Sequence, residues 1–221
     1  MSLTTDEKNA INNLKEVVKI LNSNKIDFWM HGAAILGYTR DKSHLISWDR
    51  DFDLLTWQEN MEKIKKIVPQ LNKKGFNTKI TKDKIKIWKD DYDFTIGTFI
   101  LDGDMAVRPT VSVRNKFGVF LYYKLIIKTK RKFILKPLLY LGYITGSIIP
   151  VRKFIPSKYF TDLKEMDFYG VKIKVPRETI DYLQFKYGET WRTPIKNWSH
   201  KGLSNHYKDD KFNAYYKRGW L

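Results

Sequence analysis

The sequence predicts a mixed α/β (α+β) fold, and three observations carry that prediction. Apolar residues recur at the helical period over residues 4–22 and again over 58–73. Between and after these stretches lie short runs with strand character, among them "DFDLLTW", "KIKIW" and "YDFTIGTFI". Hydrophobic residues make up 43% and aromatics 15% of the 221 residues, enough to bury one sizeable core.

Residues 4–22 read as an amphipathic helix, with Ala10, Ile11, Leu14, Val17, Val18 and Leu21 on one face. Thr4 and Glu7 stand at capping-box spacing at its start. Asp27 to Met30 reads as a short buried strand, "HGAAILGYTR" as a turn and short helix, and "DFDLLTW" as the next strand. The helix over 58–73 presents Met61, Ile64, Val68 and Leu71, and Pro69 is expected to kink it or end it early. "NTKIT", "KIKIW" and "YDFTIGTFI" follow as three strands. "TVSV" and "GVFLYY" around "RNKF" suggest another hairpin. The most apolar stretch, "FILKPLLYLGYITGSIIP", is interrupted by Lys136, Pro137, Gly142 and Gly146, so it is a poor membrane span. Basic clusters flank it, and it reads as a buried helix or as one lying on an anionic lipid surface. "MDFYG" and "VKIKV" form a strand pair. Pro176 then suits the first turn of a helix striped by Ile180, Leu183 and Tyr187, with Gly188 as its C-cap. There is no internal repeat or low-complexity linker.

Composition narrows the chemistry. The chain has no cysteine, which removes disulfides, thiolate metal sites and a cysteine nucleophile. No secretory signal opens it, and a cytoplasmic location is expected, peripheral at the inner membrane face. Net charge is +17, a field that attracts nucleotides, nucleic acid or anionic lipid unless it is only a solvated lysine surface. No P-loop and no dinucleotide fingerprint is present, and His44, His200 and His206 lack ligand spacing.

The stretch "ISWDRDFDLLTW" places Asp49, Asp51 and Asp53 at every second residue. On a strand, Asp51 and Asp53 point one way while Phe52 and Leu54 point the other. Two carboxylates about 7 Å apart at strand rise can grip divalent cations, and their oxygens favour magnesium or manganese over zinc. The competing reading is an acidic strand end paired with lysines. Upstream, Gly32 follows an apolar strand at a helix start, where backbone N–H groups can approach a phosphate. Arg40 adds a cationic fork. His31 is read equally as a core histidine or a phosphate contact.

These residues meet a known pattern. "WMHGAAILGYTRDKSHLISWDRDFDLL" resembles the signature of the LicD/fukutin family, an HG, an LG, an arginine, then WD-x-D-x-D. "IPSKYFTDLKEMDFYGVKIKVPRETIDYLQFKYGETWRTP" is similar to that family's C-terminal part. The resemblance implies a nucleotidyltransferase fold of the polymerase-beta type, a mixed sheet flanked by helices. It implies one domain over 1–221, with a core to about 125, a helical insertion at about 126–155 and an extension over about 156–221. It implies that Asp51 and Asp53 hold magnesium, with Asp49 as the first aspartate of the triplet and Gly32 and Arg40 at the donor phosphates. Arg50 departs from the pattern, where an acidic residue is common, as do Ala33 and Ala34.

The expected function is a Mg2+- or Mn2+-dependent transferase. It moves a phospho-alcohol group, phosphocholine-like or ribitol-phosphate-like, from a CDP-linked or other nucleotide donor to a cell-surface glycan. One rival is transfer of NMP onto a small molecule. The other is a non-enzymatic binder of RNA or anionic membrane, and nucleic acid is the weaker partner because the aromatics fall at core positions. Polymerase-beta-type sites add a third acidic residue from a neighbouring strand. Asp90 and Asp91 look like turn residues. Asp93 sits within an apolar strand and is the candidate third carboxylate, as metal ligand or base, with a salt bridge to Lys86 as the alternative.

Overall fold

Thr4 starts the first helix as its spacing predicts. Its hydroxyl accepts the Glu7 N–H at 3.2 Å, and its own N–H donates to the Glu7 carboxylate at 2.8 Å. The computed structural model describes residues 4–41, 46, 49–81, 83–113, 115–122, 132–195 and 206–208. Trp48 of the motif, His44, His200, most of the basic run before residue 132 and most of the tail lie outside the described residues.

In chain order the elements are α1 (Thr5–Ser23), β1 (Trp29–His31), α2 (Ala33–Arg40), β2 (Asp51–Trp57), α3 (Met61–Lys73), β3 (Asn77–Ile80), β4 (Lys84–Lys89) and β5 (Tyr92–Asp102). Then come β6 (Met105–Val113), α4 (Lys116–Val119), α5 (Lys132–Ile144) and β7 (Ile148–Pro156). The last are α6 (Lys158–Thr161), β8 (Leu163–Phe168), β9 (Val171–Pro176), α7 (Thr179–Tyr187) and β10 (His206–Lys208). The chain groups into two compact units, residues 1–106 with 156–203, and residues 107–155 with 204–221.

The first unit is built on a mixed sheet. β1 pairs antiparallel with β2, β2 pairs parallel with β5, β5 pairs antiparallel with β4, and β4 with β3. Parallel neighbours need a crossover, and the stretch from α3 through β4 supplies it. Phe52, Leu54, Phe94 and Ile96 are buried together on one face of the sheet, in register across β2 and β5. Phe52 and Phe94 stack with centroids 5.4 Å apart. α1 buries Ala10, Leu14, Val17 and Leu21, the stripe its periodicity predicts. β8 and β9 form the expected separate hairpin.

Four expectations change. α3 runs through Pro69 to Lys73, and its buried stripe is Met61, Ile64, Ile67 and Leu71. Pro69 is exposed, so the carbonyl it leaves unbonded faces water while the stripe holds the helix down. Pro176 closes β9 and does not open a helix, because α7 begins at Thr179. The buried face of α7 is Thr179, Tyr182, Leu183 and Lys186, and Ile180 is 45% exposed. Gly118 to Tyr122 of "GVFLYY" form no strand, Tyr123 lying outside the described residues: α4 and the turn after it are helical, with the Asn115 side chain accepting the Gly118 N–H at 2.8 Å.

The second unit holds a small core of Leu121, Leu139 and Ile148. Within it β10 pairs antiparallel with β7. Gly142 lets α5 close on Ile148, since a Cβ there would stand 2.7–2.9 Å from three Ile148 carbons. Gly142→Ala is therefore expected to lower the melting temperature, although alanine favours helix by about 1 kcal/mol. A thermal melt that rises instead would show that Ile148 yields freely.

Candidate active site

Sheet register gathers the candidate residues. His31 lies opposite Asp53 across β1 and β2, while Asp93 lies opposite Asp51 and Thr95 opposite Asp53 across β2 and β5. Residues opposite one another share a sheet face, so Asp51, Asp53, Asp93 and His31 stand on the face away from Phe52 and Leu54. Asp49 precedes β2, its N–H donating to the Ile46 carbonyl at 2.9 Å.

The carboxylates fall into two groups. Asp51 is exposed at the start of β2, yet it is pushed up to about 7, first by desolvation among its neighbours and then by a hydrogen bond and charge from Asp49 and by the charge of Asp93. Lys86 opposes this, and its ammonium forms an ion pair with Asp93. Asp93 stands opposite Asp51 in the sheet, and it makes the ion pair with Lys86 that the alternative reading of this residue names. Asp90 and Asp91 are turn residues: Asp90 has φ +56° and accepts from the Asn13 amide at 3.1 Å. Arg50 turns toward Asp91 at 3.7 Å and Asp6 at 4.0 Å, over the ring of Tyr92.

Asp53 belongs to the second group. Gly32, at φ +79°, leads into α2, and a Cβ there would lie 3.2 Å from Asp53 Oδ2 and 3.3 Å from Lys186 Nζ. Glycine is required both by that conformation and by the crowding. His31 is 6% exposed, and both ring nitrogens are engaged. Lys186 Nζ is 2.7 Å from Nε2, and the Tyr182 hydroxyl bonds Nδ1. Lys186 taken as an ammonium can only donate, which leaves Nε2 to accept and Nδ1 to carry the proton toward Tyr182. The Tyr182 oxygen also accepts the Gly32 N–H at 3.3 Å. His31 thus acts as a buried link in a chain that fixes the entry to α2.

Arg40, at the end of α2, is held in a two-pronged pair by Asp41, Nε to Oδ1 at 2.7 Å and Nη2 to Oδ2 at 2.8 Å. That pairing raises its pKa. Arg40 lines a cavity of about 210 Å³ with Leu36, Asp49, Tyr187, Thr190 and Trp191. A shallower recess beside Asp51 shares Ala33 and Asp49 with it. Burial and the charges of Asp53, Asp49 and Asp51 raise the Tyr187 hydroxyl, with Arg40 opposing. Among the described residues no three histidine or acidic side chains converge as a protein-only metal cage.

Sequence reasoning did not single out Tyr182 or Lys186, and it took Tyr187 only as a helix stripe. The available signal was a lysine one turn after Tyr182 on the face that α7 buries. Tyr182→Phe keeps the ring and removes the hydroxyl that His31 and Gly32 share. It is expected to cost about 1–3 kcal/mol, read as an earlier denaturant midpoint. An unchanged midpoint would mean the chain of bonds does not hold the entry to α2.

Comparison with known proteins follows the geometry. Residues 25–116 match the family model described as LicD/FKTN/FKRP, nucleotidyltransferase domain. The ribitol-5-phosphate transferase FKTN of Mus musculus is 49% identical over 35 residues, which is 16% of this chain and 8% of that protein. The Homo sapiens protein of the same name is 43% identical over 35 residues, again 16% and 8%. A lincomycin-bound crystal structure of the lincosamide antibiotic adenylyltransferase LnuA superposes with a TM-score of 0.41 at 10% identity, covering 78% of this chain and 83% of that chain. The resemblance carried by the HG…WD-x-D-x-D motif therefore holds over residues 25–116, the part of this chain that is similar to the LicD/FKTN/FKRP nucleotidyltransferase domain.

Proposed function

We propose that the protein is a magnesium-dependent transferase that moves a phospho-alcohol group from a CDP-linked donor to a glycan hydroxyl. The observation that carries this reading is the crowding of Asp49, Asp51 and Asp93, with Asp49 at a cavity wall, within the segment that matches the LicD/FKTN/FKRP nucleotidyltransferase domain. Carboxylates crowded enough to push one of them to about 7 form a site that a cation would relieve.

The donor set fits magnesium, because all its ligands are oxygens. Magnesium is usually held by one or two carboxylates together with substrate phosphates, so a cage of three protein groups is not required. Asp51 and Asp53 would hold it, with Asp93 and Asp49 adjoining, and manganese could replace it. When bound, the ion offsets phosphate charge as the pyrophosphate linkage breaks. The protein's own groups supply the rest. The N–H groups that open α2 face the donor phosphates. Arg40, oriented by Asp41, adds a fixed positive charge at the cavity wall. Asp93, paired with Lys86, would accept the proton of the attacking glycan hydroxyl. The cavity, walled by Leu36, Tyr187 and Trp191 with the Thr190 side chain, receives one ring or chain of the donor.

Two outcomes test the reading. With CDP-linked phospho-alcohol donors, turnover is expected to release CMP and to require a divalent cation. Release of pyrophosphate from a nucleoside triphosphate would point to NMP transfer instead. Asp51→Asn and Asp53→Asn are expected to keep the fold by circular dichroism and to lose at least about a hundredfold in kcat/KM, near 3 kcal/mol.

The raised Asp51 carboxyl also sets a pH dependence. Below about 7 a proton occupies the group that the cation needs. Manganese affinity measured by calorimetry is expected to weaken as pH falls from 8 to 6, by up to about tenfold per unit below that pKa. Flat affinity across this range would mean that Asp51 takes no part in cation binding.

A further inference from the structure

The second unit carries an unusual pairing of charge and apolar exposure. Between Val107 and Ile155 there are eleven lysines and arginines and no aspartate or glutamate. Most of the chain's net +17 therefore resides in this one excursion. In the same stretch α5 is apolar on both sides. Leu139 and Gly142 form its inner face against Ile148. At 100° per residue, Pro137, Tyr140, Leu141 and Ile144 form one continuous stripe on the opposite face. Tyr140 is 54%, Leu141 38% and Ile144 60% exposed, and no charged residue interrupts the stripe from Pro137 to Ile144. The turn formed by α4 and the residues after it adds Phe117, Val119 and Phe120, exposed by 44%, 49% and 51%.

A helical segment apolar all round, as α5 is from Pro137 to Ile144, is ordinarily buried all round. Exposed aromatic and branched side chains concentrated in one unit mark a surface that something covers. The charge says what kind of surface that is. Eleven cations without an anion are complementary to a dense negative plane, while the uncharged stripe suits the boundary between headgroups and acyl chains. A protein groove would supply apolar cover but would not by itself call for an excursion without acidic residues. RNA would satisfy the charge but leave the aliphatic Leu141, Ile144 and Val119 without a partner. α5 has 13 residues, and no helix among the described residues is long and apolar enough to cross a membrane. Contact would therefore be lateral, with the helix lying in the interface.

We infer that this unit docks the protein on an anionic lipid surface, α5 and the α4 turn entering the interface while lysines and arginines of the segment 107–155 meet lipid phosphates. The inference does not depend on the transferase reading, and its test needs no catalysis. The full chain is floated with vesicles of phosphatidylcholine alone and with vesicles containing phosphatidylglycerol, at low and high salt. Binding is expected to the anionic vesicles at low salt, to fall at least tenfold on neutral vesicles, and to fall at high salt. The exposed double variant Tyr140→Glu, Ile144→Glu is expected to lose at least tenfold in binding with an unchanged melting temperature. The exposed Lys116→Glu is expected to weaken binding by a smaller factor. No flotation with anionic vesicles at low salt overturns the proposal. So does binding that the double variant leaves intact, since charge alone would then account for it. Concentration-dependent dimerisation abolished by the double variant, without vesicle binding, would assign the stripe to a second copy of the chain and overturn it too.

Discussion

The parallel pairing of β2 with β5 is the constraint on which the candidate site rests. It sets Asp51 opposite Asp93, two like charges on one face, while Phe52 and Phe94 stack on the other. The stacked rings fix the register, because a slip of one residue would bury the aspartates and expose the phenylalanines. Apolar packing on one side thus enforces electrostatic crowding on the other. The crowding raises the Asp51 carboxyl, through desolvation by its neighbours and the charges of Asp49 and Asp93. The neighbouring Lys86 offsets part of that charge.

A second constraint ties the far end of the first unit to its beginning. α7 supplies Tyr182 and Lys186, which meet His31 and Gly32 about 150 residues earlier in the chain. Lys186 is 6% exposed and close to Asp53, so its burial is compensated by a hydrogen bond and by a neighbouring carboxylate. The same helix ends in Tyr187 at the cavity wall. Residues 187–195 therefore wall the cavity together with α2 and Asp49.

The second unit follows a different rule. Its core is small, and α5 uses one apolar face for packing and leaves the other outward. In the first unit the apolar stripes of α1 and α3 are covered and their outer faces are charged. The contrast within one chain is the reason α5 reads as a surface awaiting a partner.

Local periods were legible in the sequence. The capping box of Thr4 and Glu7, the stripe of α1, the alternation that separates Asp51 and Asp53 from Phe52 and Leu54, and the turn role of Asp90 all depend on neighbours a few residues away. The mixed α/β class follows from the same short-range signals. Misreadings occurred where local preference met a packing demand. Proline was expected to kink α3 or end it early; the helix runs on to Lys73, since one lost bond on the exposed face weighs less than a buried stripe of four residues. "GVFLYY" has strand-forming residues, yet Asn115 caps a helix and Leu121 is drawn into the core of the second unit. Two relations were decided by tertiary structure alone. One is that Asp51 crowds Asp49 and Asp93 while Asp53 turns to Gly32 and Lys186. The other is that Tyr182 and Lys186 of α7 engage both ring nitrogens of His31. Both join groups distant in sequence through strand register and helix docking, and no local period in the chain encodes which of many lysines and carboxylates such docking brings together.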